Sequence, residues 1–109
     1  VLNKNNKFHL SNDKGMALYY NDKDTKGSTN ADPKSNCTGD CLSTWTVFDQ
    51  AQVIAPSALK PNDFKEFTRQ DGTPQLSYKG MPLYTYSEDS NSGDTKGDNV
   101  DNSWHLVKP

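Results

Sequence analysis

The sequence predicts an all-β domain made of two pseudo-symmetric antiparallel hairpin units, packed as a small sandwich or barrel and carrying long polar loops. Three observations carry that prediction. Lys14-Gly15-Met16-Ala17-Leu18-Tyr19 returns as Lys79-Gly80-Met81-Pro82-Leu83-Tyr84, and self-similarity of this kind marks a duplicated structural unit. Short runs such as Lys7-Phe8-His9-Leu10 and Gln75-Leu76-Ser77-Tyr78 alternate polar and apolar residues, the period of a half-buried strand. Asp71-Gly72 between Phe67-Thr68-Arg69 and Gln75-Leu76-Ser77-Tyr78 is a strong local hairpin signal.

The elements follow in chain order. Lys14-Gly15 and Lys79-Gly80 each place a glycine where a tight turn needs one, between two alternating runs. After the second turn Met81, Leu83 and Thr85 face one way and Pro82, Tyr84 and Tyr86 the other. Met16 and Leu18 repeat the first of these faces in the earlier copy. Trp45 with Val47, and Trp104 with Leu106, mark a closing strand for each unit. Pro82 donates no ladder hydrogen bond, so its strand belongs at an edge or carries a bulge. Pro61 to Glu66 has the composition of one helical turn capped by Asn62 or Asp63. The predicted core is Phe8, Leu10, Met16, Leu18, Trp45, Val47, Phe67, Leu76, Met81, Leu83, Trp104 and Leu106. Unit one covers about residues 5–48, a connector about 49–64, and unit two about 65–108, all within a single domain.

Composition bounds the function classes. Only 31% of the 109 residues are hydrophobic and the mean hydropathy is -0.97. Leu, Ile, Val and Phe together number 18, low enough to raise the question of disorder. The net charge of -2 and the placement of the aromatics inside periodic segments point instead to a thin aromatic core. No run approaches the roughly 20 apolar residues of a membrane-spanning helix. One arginine and a pI near 5.5 leave no electrostatic footprint for nucleic acid. No leader peptide opens the sequence at Val1, and export then implies one lying upstream or removed.

Cys37-Thr38-Gly39-Asp40-Cys41 reads in two ways. As a disulfide it closes a short loop, contributes roughly 2 kcal/mol by the chain-entropy argument, and requires an oxidising compartment. As a soft-metal dithiolate it needs two further ligands, in a chain with two histidines. The disulfide is the expected state.

At the repeated strings the chain resembles the secreted-repeat lipoproteins of unknown function, which carry tandem Tyr-x4-Asp motifs, more fully Tyr-x-(Phe/Trp/Tyr)-x-x-Asp. Tyr84-Thr85-Tyr86-Ser87-Glu88-Asp89 matches the full form; Tyr19-Tyr20-Asn21-Asp22-Lys23-Asp24 has Asn21 where the aromatic belongs. The likeness extends to Cys37 through Cys41 leading into Trp45, to Arg69-Gln70-Asp71-Gly72 with Gln75 and Tyr78, and to Trp104-His105-Leu106-Val107. It implies a bacterial envelope protein, located in the periplasm, at the outer surface or secreted, and often lipid-anchored through an N-terminal cysteine. It implies no activity.

The candidate sites are weighed on chemistry. Tyr19 with Asp24, and Tyr84 with Tyr86 and Asp89, read first as structure, each Asp capping the start of a long loop by accepting N–H groups one to three residues on. The sharper reading is a paired Tyr/Asp site between the units. Calcium would take six to eight oxygens, which Asp89, Asp94 and Asp98 with Glu88 and Asp101 would begin to supply. Met16, Met81, His9 and His105 are soft-metal candidates for copper or haem iron, although inward Met is ordinarily core filler and both His fall out of phase with the apolar faces, which predicts exposure. No nucleophile elbow, phosphate loop or His-Glu-x-x-His motif occurs. The expected role is therefore a non-enzymatic envelope module without a cofactor, binding a partner protein or surface polymer through its long loops. The alternative is a redox or metal-binding envelope protein.

Overall fold

The structure is a computed structural model that describes residues 9–12, 14–28, 31–49, 53, 63–91 and 93–107. Among these, strands β1 (Tyr19–Asn21), β2 (Trp45–Val47), β3 (Phe64–Thr68), β4 (Pro74–Tyr78), β5 (Met81–Pro82), β6 (Tyr84–Tyr86) and β7 (Trp104–Leu106) form two antiparallel sheets. One has four strands in the order β2-β6-β1-β7; the other has three, β3-β4-β5. The arrangement is a small open sandwich rather than a closed barrel. A one-turn helix α1 (Cys41–Thr44) leads into β2, and a 3-10 turn at Val100–Asn102 leads into β7.

The expected turns are in place. Lys79 and Gly80 both take positive φ, 50° and 87°, the backbone of a two-residue hairpin joining β4 to β5. Gly72, at φ 89°, closes the β3–β4 turn by donating its N–H to the Arg69 carbonyl. β5 is an edge strand, and the run breaks at Leu83 as the chain passes from one sheet to the other, as Pro82 requires. Of the helical turn expected over Pro61–Glu66, Asp63 is in a 3-10 turn, and the turn goes no further. Phe64–Thr68 is a strand paired with β4, because Phe67 and Arg69 alternate inward with exposed Glu66 and Thr68; Pro61 and Asn62 lie outside the described residues.

The pairing shows how the duplication is used. β1 and β6 meet at Tyr19 and Tyr84 in the centre of the larger sheet. The Trp strand of each unit then adds to the Tyr strand of the other. β2 pairs with β6 through Trp45 with Tyr86, Thr46 with Thr85 and Val47 with Tyr84. β7 pairs with β1 through Asn21 with Trp104, Tyr20 with His105 and Tyr19 with Leu106. The two ladders are equivalent residue by residue, so the units interlock about a pseudo-two-fold.

A closed ring of backbone bonds sits on each side of that sheet. Leu10 N–H donates to Val107, Val107 N–H to Leu18, and Leu18 N–H back to Leu10; Leu76, Phe48 and Leu83 repeat the ring in the other half. These rings leave no orphan amide where strands change partners.

The central strands are buried on both faces, which divides the core in two. Ala17, Tyr19, Cys37, Trp45, Tyr84, Trp104 and Leu106 form one cluster. Leu10, Leu18, Phe48, Tyr78, Leu83 and Val107 form the other. Of the predicted core, Leu10, Leu18, Trp45, Phe67, Leu83, Trp104 and Leu106 are buried. Met16, Val47, Leu76 and Met81 are half-buried, and Phe8 lies outside the described residues.

Candidate functional site

The repeat motif builds the centre of the molecule by exchange. Tyr19 O–H donates to Asp89 Oδ2 at 2.7 Å, and Tyr84 O–H donates to Asp24 Oδ2 at 2.7 Å. Each tyrosine is therefore bonded to the aspartate of the other unit. The expectation of a cap one to three residues on is corrected. Asp24 Oδ1 accepts the N–H of Asn36 at 2.7 Å, and Asp89 Oδ1 that of Lys96 at 2.9 Å. Asp24 thus reaches the far end of the loop from Asn21 to Asn36 and Asp89 the middle of the loop from Ser87 to Asn102. Each also holds the hydroxyl of the opposite strand, tying both loops to the sheet.

Both aspartates and both tyrosines are buried. Burial pushes the phenols of Tyr19 and Tyr84 well above their ordinary value, and the neighbouring carboxylates Asp89 and Asp24 push the same way. A group whose pKa is raised on folding contributes stability that is whole below its unfolded pKa and lost as pH rises through the folded one. Alkali should therefore release these two phenols only as the fold is lost. The check is tyrosinate absorbance recorded beside near-ultraviolet circular dichroism; a full-amplitude titration of all five tyrosines before the dichroism changes would refute the burial argument.

The first loop carries a further network. Tyr84 Oη is in short contact with Ser35 Oγ, which also accepts from Arg69 Nη1 at 2.7 Å. The same nitrogen reaches Gln75 Oε1 at 2.8 Å, and Nη2 donates to the Cys37 carbonyl at 2.6 Å. Arg69 is the chain's one arginine. A buried fork with five donors suits this place, where an ammonium would satisfy fewer acceptors in fixed directions. Cys37 and Cys41 are bonded as a disulfide, beside Trp45 in the aromatic core.

The Trp side chains stack in the middle. Trp45 and Trp104 lie 3.8 Å apart and nearly parallel, Tyr86 stacks on the other face of Trp45 at 4.3 Å, and Tyr19 and Tyr84 meet the two tryptophans edge-on. This is what the motif aromatic does at Tyr86. At the equivalent place Asn21 instead accepts the Lys23 N–H in a turn. Gly97, which the sequence reading passed over, donates to Tyr19 Oη at 3.2 Å. Its backbone lies so close that an added Cβ would sit 2.7 Å from the Trp45 ring.

The metal candidates are placed as follows. Asp94 Oδ2 accepts the N–H groups of Ser90 and Asn91, which hold its carboxyl below the ordinary range. Asp98 Oδ1 accepts from Leu106 N–H, and Asp89 serves Tyr19 and Lys96, so the three acids answer separate sets of backbone and hydroxyl donors. Among the described residues no group of three His, Cys, Asp or Glu stands within ligating range. His9 is fully buried rather than exposed, because its segment is covered on both faces, with Leu10 and Ser11 buried beside it. His105 is half-buried, its Nε2 3.1 Å from Asp22 Oδ2. Met16 and Met81 are half-buried at the two hairpin turns.

The interlocked halves have a counterpart outside this molecule. A family described as a secreted repeat of unknown function matches residues 3–49 and again residues 65–108. The chain belongs to this family. The secreted repeat is thus present twice, and family membership places the protein among exported ones. Among the described residues no helix is long and apolar enough to cross a membrane. Neither curated proteins nor solved structures yielded a match to the chain.

Proposed function

We propose that this secreted repeat is a non-enzymatic module of the bacterial cell envelope that binds a partner protein or surface polymer through its two long loops, held near the membrane by a lipid anchor. The observation that carries this reading is the consumption of the motif. Tyr19, Asp24, Tyr84 and Asp89 are buried and spend their polar atoms on one another and on the loop backbone, so the repeat signature is a device for fixing loops rather than a reacting centre. What those loops then show to solvent, including Lys23, Lys26, Glu88 and Asn91, is rigidly placed polar surface. Loops set on a sheet in this way are where binding residues concentrate.

The test is co-sedimentation of the purified chain with envelopes of the source bacterium. Retention should be saturable, and replacing Lys23, Lys26, Glu88 and Asn91 together with serine should abolish it while the melting temperature holds. Retention that never saturates, or that ignores those four changes, would overturn the reading.

A further inference from the structure

The duplication offers an internal comparison. Positions that the fold needs are the same in both halves: Leu18 and Leu83, Tyr19 and Tyr84, Asp24 and Asp89, Trp45 and Trp104. Along and just past the ladder between β1 and β7 three positions differ from their equivalents in a chemically coherent way, Tyr20 among them half-buried over the second core cluster. Tyr20, Asp22 and His105 stand where the other half has Thr85, Ser87 and Thr46. Two threonines facing each other complete that ladder without difficulty, so strand pairing does not require the tyrosine and histidine.

What they form is a built surface. Tyr20 and His105 are directly opposite across the strands, with ring centres 5.4 Å apart and tilted. Asp22 fixes the imidazole through Nε2 at 3.1 Å. The two rings, with Asp98, Asn99 and Leu106, line an open cavity of about 440 Å³. Asn99 in its wall takes positive φ, 70°, as do Asp101 and Asn102 just beyond the cavity, 54° and 57°, and such backbone gathers at binding sites because the surroundings must hold it. Asp98 is held by Leu106 N–H and Asn99 N–H by the Trp104 carbonyl, so this wall is anchored to β7.

We infer that this cavity is a saccharide subsite taking one neutral pyranose unit of a surface glycan. An aromatic face flanked by planar polar side chains suits a sugar, which presents an apolar C–H face and a rim of hydroxyls that both donate and accept. Asp98 lines the cavity and Asp22 stands beside it on His105; both are carboxylates that only accept, and the Asp98 one calls for a ligand rich in donors. Their negative charge disfavours a phosphate- or uronate-bearing polymer. A single ring of roughly 12 non-hydrogen atoms in an open site binds with a Kd on the order of 1 mM, and a polymer gains by repetition. The assignment rests on the envelope-binding reading above and names one ligand class for it.

The experiment is an amide-resolved NMR titration of the intact chain with methyl glucoside, methyl galactoside, methyl mannoside, N-acetylglucosamine and their soluble oligosaccharides. Saturable shifts are expected at Tyr20, Asp22, Asn99, His105 and Leu106 with at least one of them. His105→Thr, Asp22→Ser and Tyr20→Leu should each weaken that binding at least tenfold, and the spectrum itself reports whether each variant is folded; the leucine keeps the apolar cover of the core. No saturable shift at these amides with any saccharide overturns the subsite, as does binding that the folded variants leave unchanged. In either event saturable retention on envelopes would leave the broader reading standing, whereas absence of that retention removes the broader reading.

Discussion

Replacing Asp24 with alanine should lower stability by about 3–5 kcal/mol. The substitution removes the carboxylate that accepts from the buried Tyr84 hydroxyl and from the part-buried Asn36 N–H, and a hydrogen bond to a charged group contributes about 1.5–3 kcal/mol. It also removes a negative charge that acts on the buried Arg69, which keeps Asp71 at 3.7 Å. A domain of this size has only about 5–15 kcal/mol in hand, so the loss should appear as a much lower urea midpoint. Asp24→Asn should cost more than half as much as alanine. The two donors approach different oxygens of one carboxylate, and an amide must turn its own NH2 toward one of them. A cost for asparagine below a quarter of that for alanine would show that one acceptor oxygen suffices.

The pH dependence of the same residue has a definite sign. Burial raises the Asp24 carboxyl above its ordinary 3.8, against the opposing pull of the Asn36 N–H, the Tyr84 hydroxyl and the Arg69 charge. Folding therefore binds this proton more tightly than the unfolded chain does, and the contribution of Asp24 to stability falls as pH rises from that ordinary value through the raised one. Carboxylates lowered by their surroundings, such as Asp71 and Asp94, behave in the opposite way. The stability gap between the native chain and Asp24→Asn should accordingly be wider near pH 3 than at pH 7, with the common acid loss cancelling in the difference. A gap that widens toward neutrality would mean that folding favours the ionised form.

The sequence disclosed the repeat and the strands because both are local properties. A string that returns after 65 residues, from Tyr19 to Tyr84, is visible without coordinates, and so is a glycine between two alternating runs. Which copy partners which is not local. The Tyr-x4-Asp spacing is the same whether Tyr19 meets Asp24 or Asp89, so the exchange across the pseudo-two-fold was hidden. The sequence predicts an exposed His9 because alternation assumes one wet face, and the segment His9, Leu10, Ser11 is buried on both sides. Asp24 and Asp89 were expected to bond nearby N–H groups, since sequence distance is the only distance a sequence displays; the returning loops bring Asn36 and Lys96 instead. Arg69 is visible as the one arginine among twelve basic residues and in the string Arg69-Gln70-Asp71-Gly72 with Gln75, but neither signal shows that it is buried. Gly97 gave no signal, because closeness to an indole ring has no trace in composition.

The interlocked core should respond unequally to removal of its two tryptophans, although they occupy equivalent strands. Both are buried, and truncating a buried Trp to alanine costs about 3–5 kcal/mol. Trp45, however, is stacked on both faces, by Trp104 and by Tyr86, and Gly97 is pressed against its edge. Trp104 is stacked by Trp45 and met edge-on by Tyr84, while the residue opposite it in the ladder is Asn21 rather than an aromatic. Trp45→Ala should therefore fall at the upper end of that range and Trp104→Ala about 1 kcal/mol below it, since an aromatic pair contributes roughly 0.5–1.5 kcal/mol beyond its buried area. Tyr86→Asn copies into the second unit the residue that the first already carries, and so tests the cause directly. A double-mutant cycle between Trp45→Ala and Tyr86→Asn should return a coupling of about 1 kcal/mol, within what contacting residues show. With Tyr86→Asn as background, the two tryptophan truncations should cost nearly the same. If they remain unequal by as much as before, the asymmetry comes from Gly97 and the second loop, and Tyr86 is a bystander to the stack.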